Sequence, residues 1–189
     1  GVRGAKAGLA KGIIAPEAAY PLVEYPLRRE PGVERSYMLA LSRQESEMNP
    51  RAISHVGARG LMQFMPATAK LEARRSGLPY RRSWLTDDPG YNMTLGGAHL
   101  DHLLGRFNGS YIMTAAAYNA GASRPARWVT QYGDPRAGEI DAVDWVEFIP
   151  FSETRNYVQR VLENVQVYRH RLSGEPAPVE IDRDIRRGE

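Results

Sequence analysis

The sequence predicts a predominantly α-helical domain, and three observations support this class. Nearly every segment has helical periodicity or helical start and stop signals, no segment shows a convincing strand pattern, and no internal repeat is present. The length of 189 residues and the hydrophobic content of 42% suit one domain with a substantial core. A small β-hairpin is still compatible with the loop regions.

Each helix is predicted from its apolar spacing and its punctuation. The predicted helices cover about residues 5–11, 33–48, 66–75, 89–107, 111–120 and 124–132, then a short stretch through Trp145 and Phe148, and finally residues 152–172. Asn49-Pro50 ends the second helix because the residue before a proline resists helical geometry. Asp88 is a predicted N-cap before Pro89, Gly121 a predicted C-cap, and Ser152 the predicted cap of the last helix. The last helix carries a strongly amphipathic apolar stripe, made of Tyr157, Val158, Val161, Leu162, Val165, Tyr168 and Leu172.

The chain is predicted to have three parts. Residues 1–32 form an N-terminal helix followed by a proline-containing connector, and residues 33–172 form the main domain. Residues 173–189 lack apolar periodicity, so we expect a mobile C-terminal tail. Residues 76–87 are expected to be a loop.

Composition excludes several classes of function. The chain has no cysteine, which rules out disulfides, thiolate metal sites and cysteine nucleophiles. The four histidines are scattered, and His99 and His102 have no acidic residue at ligand spacing, so we expect neither a metal nor a cofactor. No run of 18 apolar residues is present, so no integral membrane segment is expected. A net charge of +3 spread along the chain provides no nucleic-acid-binding patch.

Glu45 is the most informative residue. At 100° per residue it projects between Met38 and Leu41, on the apolar side of the helix predicted over residues 33–48. Burial disfavours the ionised carboxylate and raises its pKa, which is how a general acid is made. A buried ion pair, a bond to a backbone amide or a rotated helix would also explain a glutamate at this position.

Four motifs align with Glu45 along the chain. They are Glu45-Ser46, then Gly60-Leu61-Met62-Gln63, then Ala117-Tyr118-Asn119-Ala120-Gly121, and finally Ile149-Pro150-Phe151-Ser152-Glu153-Thr154-Arg155-Asn156-Tyr157-Val158. Together, over about residues 37–168, the sequence resembles the soluble lytic transglycosylases of bacterial cell-wall metabolism. The resemblance implies a lysozyme-like, all-α domain with a long glycan groove, in which Glu45 is the sole catalytic acid and base.

The resemblance also implies a reaction. Such enzymes cleave the β-1,4 bond between N-acetylmuramic acid (MurNAc) and N-acetylglucosamine (GlcNAc) in peptidoglycan and leave 1,6-anhydro-MurNAc ends. Ordinary glycoside hydrolysis needs two carboxylates. Glu47 is predicted to lie about 160° from Glu45 around the helix, too far round to face the same bond. Glu153 is the best remaining second carboxylate, although a first-turn acid is also favoured by the helix dipole.

The other candidate residues are assigned to substrate binding, each beside a structural interpretation. Ser46 could bond Glu45, the substrate or its own backbone, and Gly60 allows a sharp turn beside a sugar. Met62 and Gln63 could line the groove, although Met62 is also a good core residue. The Tyr118 phenol could bond the acid or the glycan. Asn119 and Glu153 complete the substrate-binding set.

Tryptophans and arginines also have two interpretations each. The three tryptophans could stack on sugars, but core packing is favoured for at least two of them. Arg155 and nearby arginines could meet the carboxylates of peptide stems or could simply form a solvated helix face.

Two other functions are also compatible with the sequence. One is a goose-type muramidase that hydrolyses the same bond, and the other is a non-catalytic peptidoglycan-binding module. The intact Glu45-Ser46 pair argues against the second.

The same resemblance suggests where the protein acts. The expected partner is peptidoglycan with its peptide stems, in the periplasm of a Gram-negative bacterium, with proteins of cell-wall synthesis or secretion as further candidates. No signal peptide is present in this sequence, and residues 1–30 resemble the end of the helical region that precedes the catalytic domain in long members of the family. The chain is therefore expected to belong to something larger.

Overall fold

The fold is built almost entirely from α-helices, as the sequence predicts. The computed structural model describes residues 2–9 and 15–188. Over these residues the helices are α1 (Val2–Leu9), α2 (Pro16–Ala19), α3 (Arg35–Ser46), α4 (Pro66–Arg75), α5 (Trp84–Asp87), α6 (Pro89–Arg106), α7 (Tyr111–Ala120), α8 (Ser123–Tyr132), α9 (Ala142–Glu147), α10 (Ser152–Ser173) and α11 (Ile181–Ile185). The helical class is therefore confirmed.

Helix α3 lies at the centre of the domain. Every residue from Ser36 to Ser42 is buried, because α10 packs along α3 and α6 also contacts it, while α10 in turn packs on α7. The predicted stripe of α10 supplies the facing side chains, and its buried members are Tyr157, Val158, Val161, Leu162, Val165 and Tyr168. A helix enclosed in this way holds its C-terminal end, which carries Glu45, in a defined position.

The helix boundaries differ from the prediction mainly at two ends. Helix α3 stops at Ser46, because Glu47 and Met48 adopt left-handed conformations with φ of 52° and 62°. Ser152 is not a cap: it is the first residue of α10, and Phe151 precedes it. Asp88 does cap α6, accepting from the Tyr91 amide at 2.8 Å.

Short elements account for the other differences. Helix α5 lies within the predicted loop and α2 within the predicted connector. The first helix begins earlier than expected and is described over Val2–Leu9, while residues 10–14, which include the rest of the predicted helix, lie outside the described residues. The β-structure of the described residues is limited to isolated antiparallel bridges, which join Arg59 to Ile53 and to Phe64.

The C-terminal tail contains a helix that the sequence pattern does not indicate. Helix α11 packs on α10 and α7, and its Asp184 is fully buried. Arg169 of α10 pairs with Asp184 at 2.5 Å and with Glu34, which precedes α3, at 2.5 Å. The tail is thus joined to the core by ion pairs across long sequence separations, which local apolar periodicity does not record.

Candidate active site

Glu45 is the penultimate residue of α3 and lies where this central helix reaches the surface. Its carboxylate oxygen Oε1 accepts a hydrogen bond of 2.6 Å from the phenol of Tyr157, which is on α10. Tyr157 is only 5% exposed, so the donor is held in place by the core. The packing of α10 on α3 therefore orients the acid directly.

The electrostatic surroundings favour the protonated form of Glu45. Its pKa is raised from the ordinary value of 4.5 to about 7. Burial of the carboxylate is the largest cause; the hydrogen bond from Tyr157 lowers the pKa, and the negative charge of Glu153 raises it. A carboxyl group with a pKa near 7 can both give and recover a proton at neutral pH.

Two open clefts meet at Glu45. One, of about 620 Å³, is lined by Glu45 together with Ser46, Glu47, Gln63 and residues 52–54. The other, of about 490 Å³, is lined by Glu45 together with Asn119, Glu153, Tyr157 and Arg160. Because Gln44 and Glu45 belong to both, a linear polymer could extend to either side of the acid.

The Tyr118 phenol does not bond Glu45, which was one of the two partners considered for it from the sequence. Its phenol donates instead to the backbone carbonyl of Met62 at 2.7 Å. Burial, reinforced by the charge of Glu45, raises the pKa of Tyr118 well above its ordinary value, so the phenol stays protonated. Tyr157 performs the predicted acid-binding role, and Tyr118 instead fixes the loop beside the acid.

The Gly60-Leu61-Met62-Gln63 loop is held by Asn92, an asparagine that the sequence motifs do not include. The Asn92 side-chain nitrogen donates to the carbonyls of Arg59 and Leu85, and its oxygen accepts from the Met62 amide at 2.9 Å. Asn92 is fully buried on α6. A polar residue among the apolar positions of this helix was the only available signal.

The loop residues themselves have divided roles. Met62 is fully buried and packs on Gly96, so its side chain is a core residue and does not line the groove. Gln63 does line the cleft, in a left-handed conformation with φ of 48°. Its amide nitrogen donates to the carbonyl of Gly60 at 2.8 Å, which leaves less of the amide for a sugar than expected.

Gly60→Ala is expected to destabilise the protein by about 2–4 kcal/mol, because a methyl group would collide with the loop anchor. A Cβ at this position would lie 2.0 Å from the Leu85 carbonyl oxygen and 2.2 Å from the Asn92 side-chain nitrogen, at a φ of +78°. Urea denaturation would measure the loss.

Gly57→Ala is the matched control. Its φ is +91°, yet no atom lies within 4 Å of the position that a methyl group would occupy, so only backbone strain of about 1 kcal/mol is expected. Equal destabilisation by the two substitutions would show that contact with Asn92 and Leu85 is not the cause.

Ser46 and Asn119 also lie in the clefts, with their polar groups already engaged. The Ser46 hydroxyl donates to the carbonyl of Ser42 at 3.1 Å. This is the bond to its own backbone that was considered from the sequence beside a bond to Glu45 or to the substrate. The Asn119 side-chain oxygen accepts from Thr154 at 2.7 Å. This second bond joins the end of α7 to the start of α10, which together form one wall of the cleft.

Two further carboxylates share the clefts with Glu45. Glu153 is exposed in the first turn of α10. Glu47 lines the other cleft and pairs with Arg3 at 2.7 Å. The prediction that Glu47 faces away was wrong, because it assumed a helical position and Glu47 adopts a left-handed conformation just past the end of α3.

The described part of the chain offers neither a metal site nor a membrane span. Residues 2–9 and 15–188 contain no group of three histidine, aspartate or glutamate side chains that could hold a metal ion. His99 contacts the buried Glu72 at 3.1 Å, so it does have an acidic neighbour, one supplied by α4. None of the helices described is long and apolar enough to cross a membrane.

Fold and site together define an all-α, lysozyme-like domain with a carboxyl group of raised pKa, Glu45, in an open groove. The Transglycosylase SLT domain family model matches residues 27–140, and the soluble lytic transglycosylase helical domain model matches residues 148–176. The chain belongs to the SLT transglycosylase domain family.

Relatives and solved structures agree with this assignment. The chain is 43% identical over 139 residues to the soluble lytic murein transglycosylase of Salmonella typhimurium, covering 73% of this chain and 21% of that protein. It is 41% identical over 145 residues to the Escherichia coli K12 protein of the same name, covering 76% of this chain and 22% of the relative. The chain thus spans about a fifth of the length of these curated relatives.

The structural likeness extends over most of the chain. The crystal structure of the 70 kDa soluble lytic transglycosylase SLT70 from Escherichia coli superposes with a TM-score of 0.80 at 36% identity, covering 92% of this chain and 28% of that one. A complex of the 70-kDa soluble lytic transglycosylase with bulgecin A also superposes with a TM-score of 0.80 at 36% identity, covering 93% of this chain and 28% of that one.

Proposed function

We propose that this domain is a peptidoglycan lytic transglycosylase that cleaves the MurNAc–GlcNAc β-1,4 bond and leaves 1,6-anhydro-MurNAc ends. The observation that carries the proposal is the Glu45 carboxyl group, with a pKa of about 7, at the meeting point of two open clefts. Family membership supports it, since the relatives named above are lytic murein transglycosylases. We place the reaction in cell-wall turnover or remodelling in the periplasm of a Gram-negative bacterium.

We also propose the partners of the domain. Glycan strands with their peptide stems are the substrate partner. Proteins of cell-wall synthesis or secretion are candidates for recruiting the domain.

The proposed reaction needs one carboxyl group to act twice. Tyr157 donates to Oε1, so the transferable proton of Glu45 is assigned to Oε2. Glu45 gives this proton to the glycosidic oxygen as the bond from that oxygen to the muramoyl C1 breaks, and the muramoyl acetamido group stabilises the cationic centre. The resulting carboxylate then takes the proton of the C6 hydroxyl, whose oxygen closes the ring on C1. The acid is restored and no water is consumed.

The positioning of the acid accounts for part of the expected rate. General acid and base action contributes about 10²- to 10⁴-fold, and positioning of the strand in the groove supplies more. The protonated phenols of Tyr157 and Tyr118 keep the acid and the neighbouring loop in one arrangement. Glu153 is proposed to contact substrate, alongside Ser46, Gly60, Gln63, Tyr118 and Asn119, through side chains or loop backbone.

A muramidase is the competing function, because Glu47 and Glu153 both share a cleft with Glu45. Mass spectrometry of the muropeptides released from purified sacculi separates the two functions. We expect products one water lighter than the hydrolytic ones from the wild type, and the same products from Glu47→Gln and Glu153→Gln with modestly reduced kcat/KM. Reducing muramic acid ends, or complete loss of turnover in either folded variant, would establish a two-carboxylate hydrolase instead.

A non-catalytic binding module, the third candidate function, would give a different result in the same experiment. Binding to sacculi without any released product would identify it. The raised pKa of Glu45, at the meeting point of the two clefts, supports turnover instead.

A further inference from the structure

An arginine lies over an exposed aromatic ring next to the cleft that contains Asn119 and Glu153. The guanidinium carbon of Arg124 is 4.5 Å from the centroid of the Phe151 ring. Phe151 is 41% exposed, and its ring packs edge-on against the buried Trp128, with centroids 5.8 Å apart. Trp128 therefore packs against the Phe151 ring on the protein side, and the Arg124 side chain is exposed to solvent.

The chain places this pair beside the catalytic cleft. Arg124 follows Asn119 by five residues across the turn from α7 to α8, and Phe151 precedes Glu153 by two. Asn119 and Glu153 both line the cleft with Glu45. The 2.7 Å bond between Thr154 and Asn119 ties the two segments together, so Arg124 and Phe151 are carried by the same two segments as Asn119 and Glu153.

The arginines that line the two clefts pair with carboxylates of the protein. Arg3 and Arg160 each pair with a glutamate, and Arg155 donates to two backbone carbonyls at 3.2 Å. The Nη1 atom of Arg155 is thus engaged by the backbone. Within residues 2–9 and 15–188, no carboxylate lies within 4.0 Å of the Arg124 guanidinium.

We propose that Arg124 and Phe151 form a subsite for a peptide stem, in which Arg124 binds a stem carboxylate and Phe151 packs against the peptide. The proposal rests on the proposed function and specifies its substrate as glycan carrying peptides. A guanidinium matches a carboxylate with two parallel hydrogen bonds. Stacking on Phe151 preorganises the guanidinium, and no protein partner has to be displaced before a carboxylate binds.

The test compares Arg124→Gln with the wild type on three substrates. These are glycan strands with intact stems, strands whose stem carboxylates are converted to methylamides, and strands freed of peptides. On intact strands we expect kcat/KM to fall about fivefold, the scale of a charge-assisted hydrogen bond at a partly exposed site. On amidated and peptide-free strands the variant and the wild type should be equal.

Arg81→Gln is the matched control, because the Arg81 guanidinium also lies over an aromatic ring, 5.1 Å from the centroid of Trp84, and neither residue lines a cleft with Glu45. It should behave as the wild type on all three substrates. A second measurement, free of turnover, is binding to intact and peptide-free sacculi by proteins that also carry Glu45→Gln. Only on intact sacculi should the Arg124→Gln variant bind more weakly than the protein that retains the arginine.

The outcomes separate this inference from the proposed function. An equal loss on all three substrates would make Arg124 a sugar-binding or structural residue, and no loss on any of them would remove the subsite. Either result leaves the anhydro product intact. Failure of the wild type to form that product would instead overturn the proposed function.

Discussion

Glu45→Gln is expected to remove turnover while the domain stays folded. The amide is nearly isosteric with the carboxyl group, and its oxygen can still accept the hydrogen bond from Tyr157. It cannot give and recover a proton, so we expect a loss of at least about 10²- to 10⁴-fold in kcat. Release of muropeptides from sacculi measures the loss, and circular dichroism with a melting curve measures the fold.

The same substitution has an expected effect on stability. Burial raises the pKa of Glu45 in the folded protein to about 7, so folding favours its protonated form. The stability from this preference is complete below the unfolded pKa near 4.5 and is lost as the pH rises through about 7. The loss is on the order of 3 kcal/mol at about 1.36 kcal/mol per pH unit. Glutamine does not titrate, so the free energy of unfolding of the variant should rise relative to that of the wild type between pH 5 and pH 8.

Two results would contradict this account of Glu45. Turnover above a few per cent of the wild type, in a protein with an unchanged melting curve, would remove Glu45 from the catalytic role. A difference in stability between wild type and variant that stays constant from pH 5 to pH 8 would show that the carboxyl group is not protonated by burial.

Activity is expected to decline on the alkaline side with an apparent pKa of about 7, well above that of a free glutamate. The reason is that the acid must hold its proton to protonate the glycosidic oxygen, and burial keeps it protonated up to that pH. The pH dependence of kcat/KM reports this group in the free enzyme. An NMR titration of the labelled Glu45 side chain gives the value directly.

Two neighbours of Glu45 should shift the alkaline limb of the pH–activity profile in opposite directions. Tyr157 lowers the pKa of Glu45 through its hydrogen bond, so Tyr157→Phe should shift the limb to higher pH. Glu153 raises the same pKa through its charge, so Glu153→Gln should shift the limb to lower pH. A normal or depressed pKa for Glu45, or shifts of the same sign in both variants, would contradict the electrostatics described here.

The helical class was accessible from the sequence because it depends on local information. Apolar spacing, prolines and caps act within a few residues, and they placed α4, α6 and α7 within about one residue of their observed ends. The long stripe of α10 was equally clear, since all but the last of its predicted apolar members are buried. The hypothesis about Glu45 was also local, because its carboxylate was placed between two apolar neighbours, Leu41 and Met38, one and two turns away.

Contacts across the chain set the rest of the site. Tyr157 lies 112 residues from Glu45, and nothing near Glu45 identifies which tyrosine reaches it; the Tyr118 phenol, which also belongs to a motif, donates to Met62 instead. The anchor role of Asn92 likewise depends on partners up to 33 residues away. Such contacts follow from which helices pack together, and a helical wheel contains no information on that packing.

The errors share this physical reason. Glu47 was placed on the far side of the helix because the sequence does not show that α3 ends one residue earlier, in a left-handed conformation. The tail helix α11 was missed because its buried Asp184 bonds Arg169 and Gln166 of α10, 15 and 18 residues before it. Local periodicity specifies an element and its apolar face, whereas the position of a charge in a cleft or an ion pair depends on how distant elements pack.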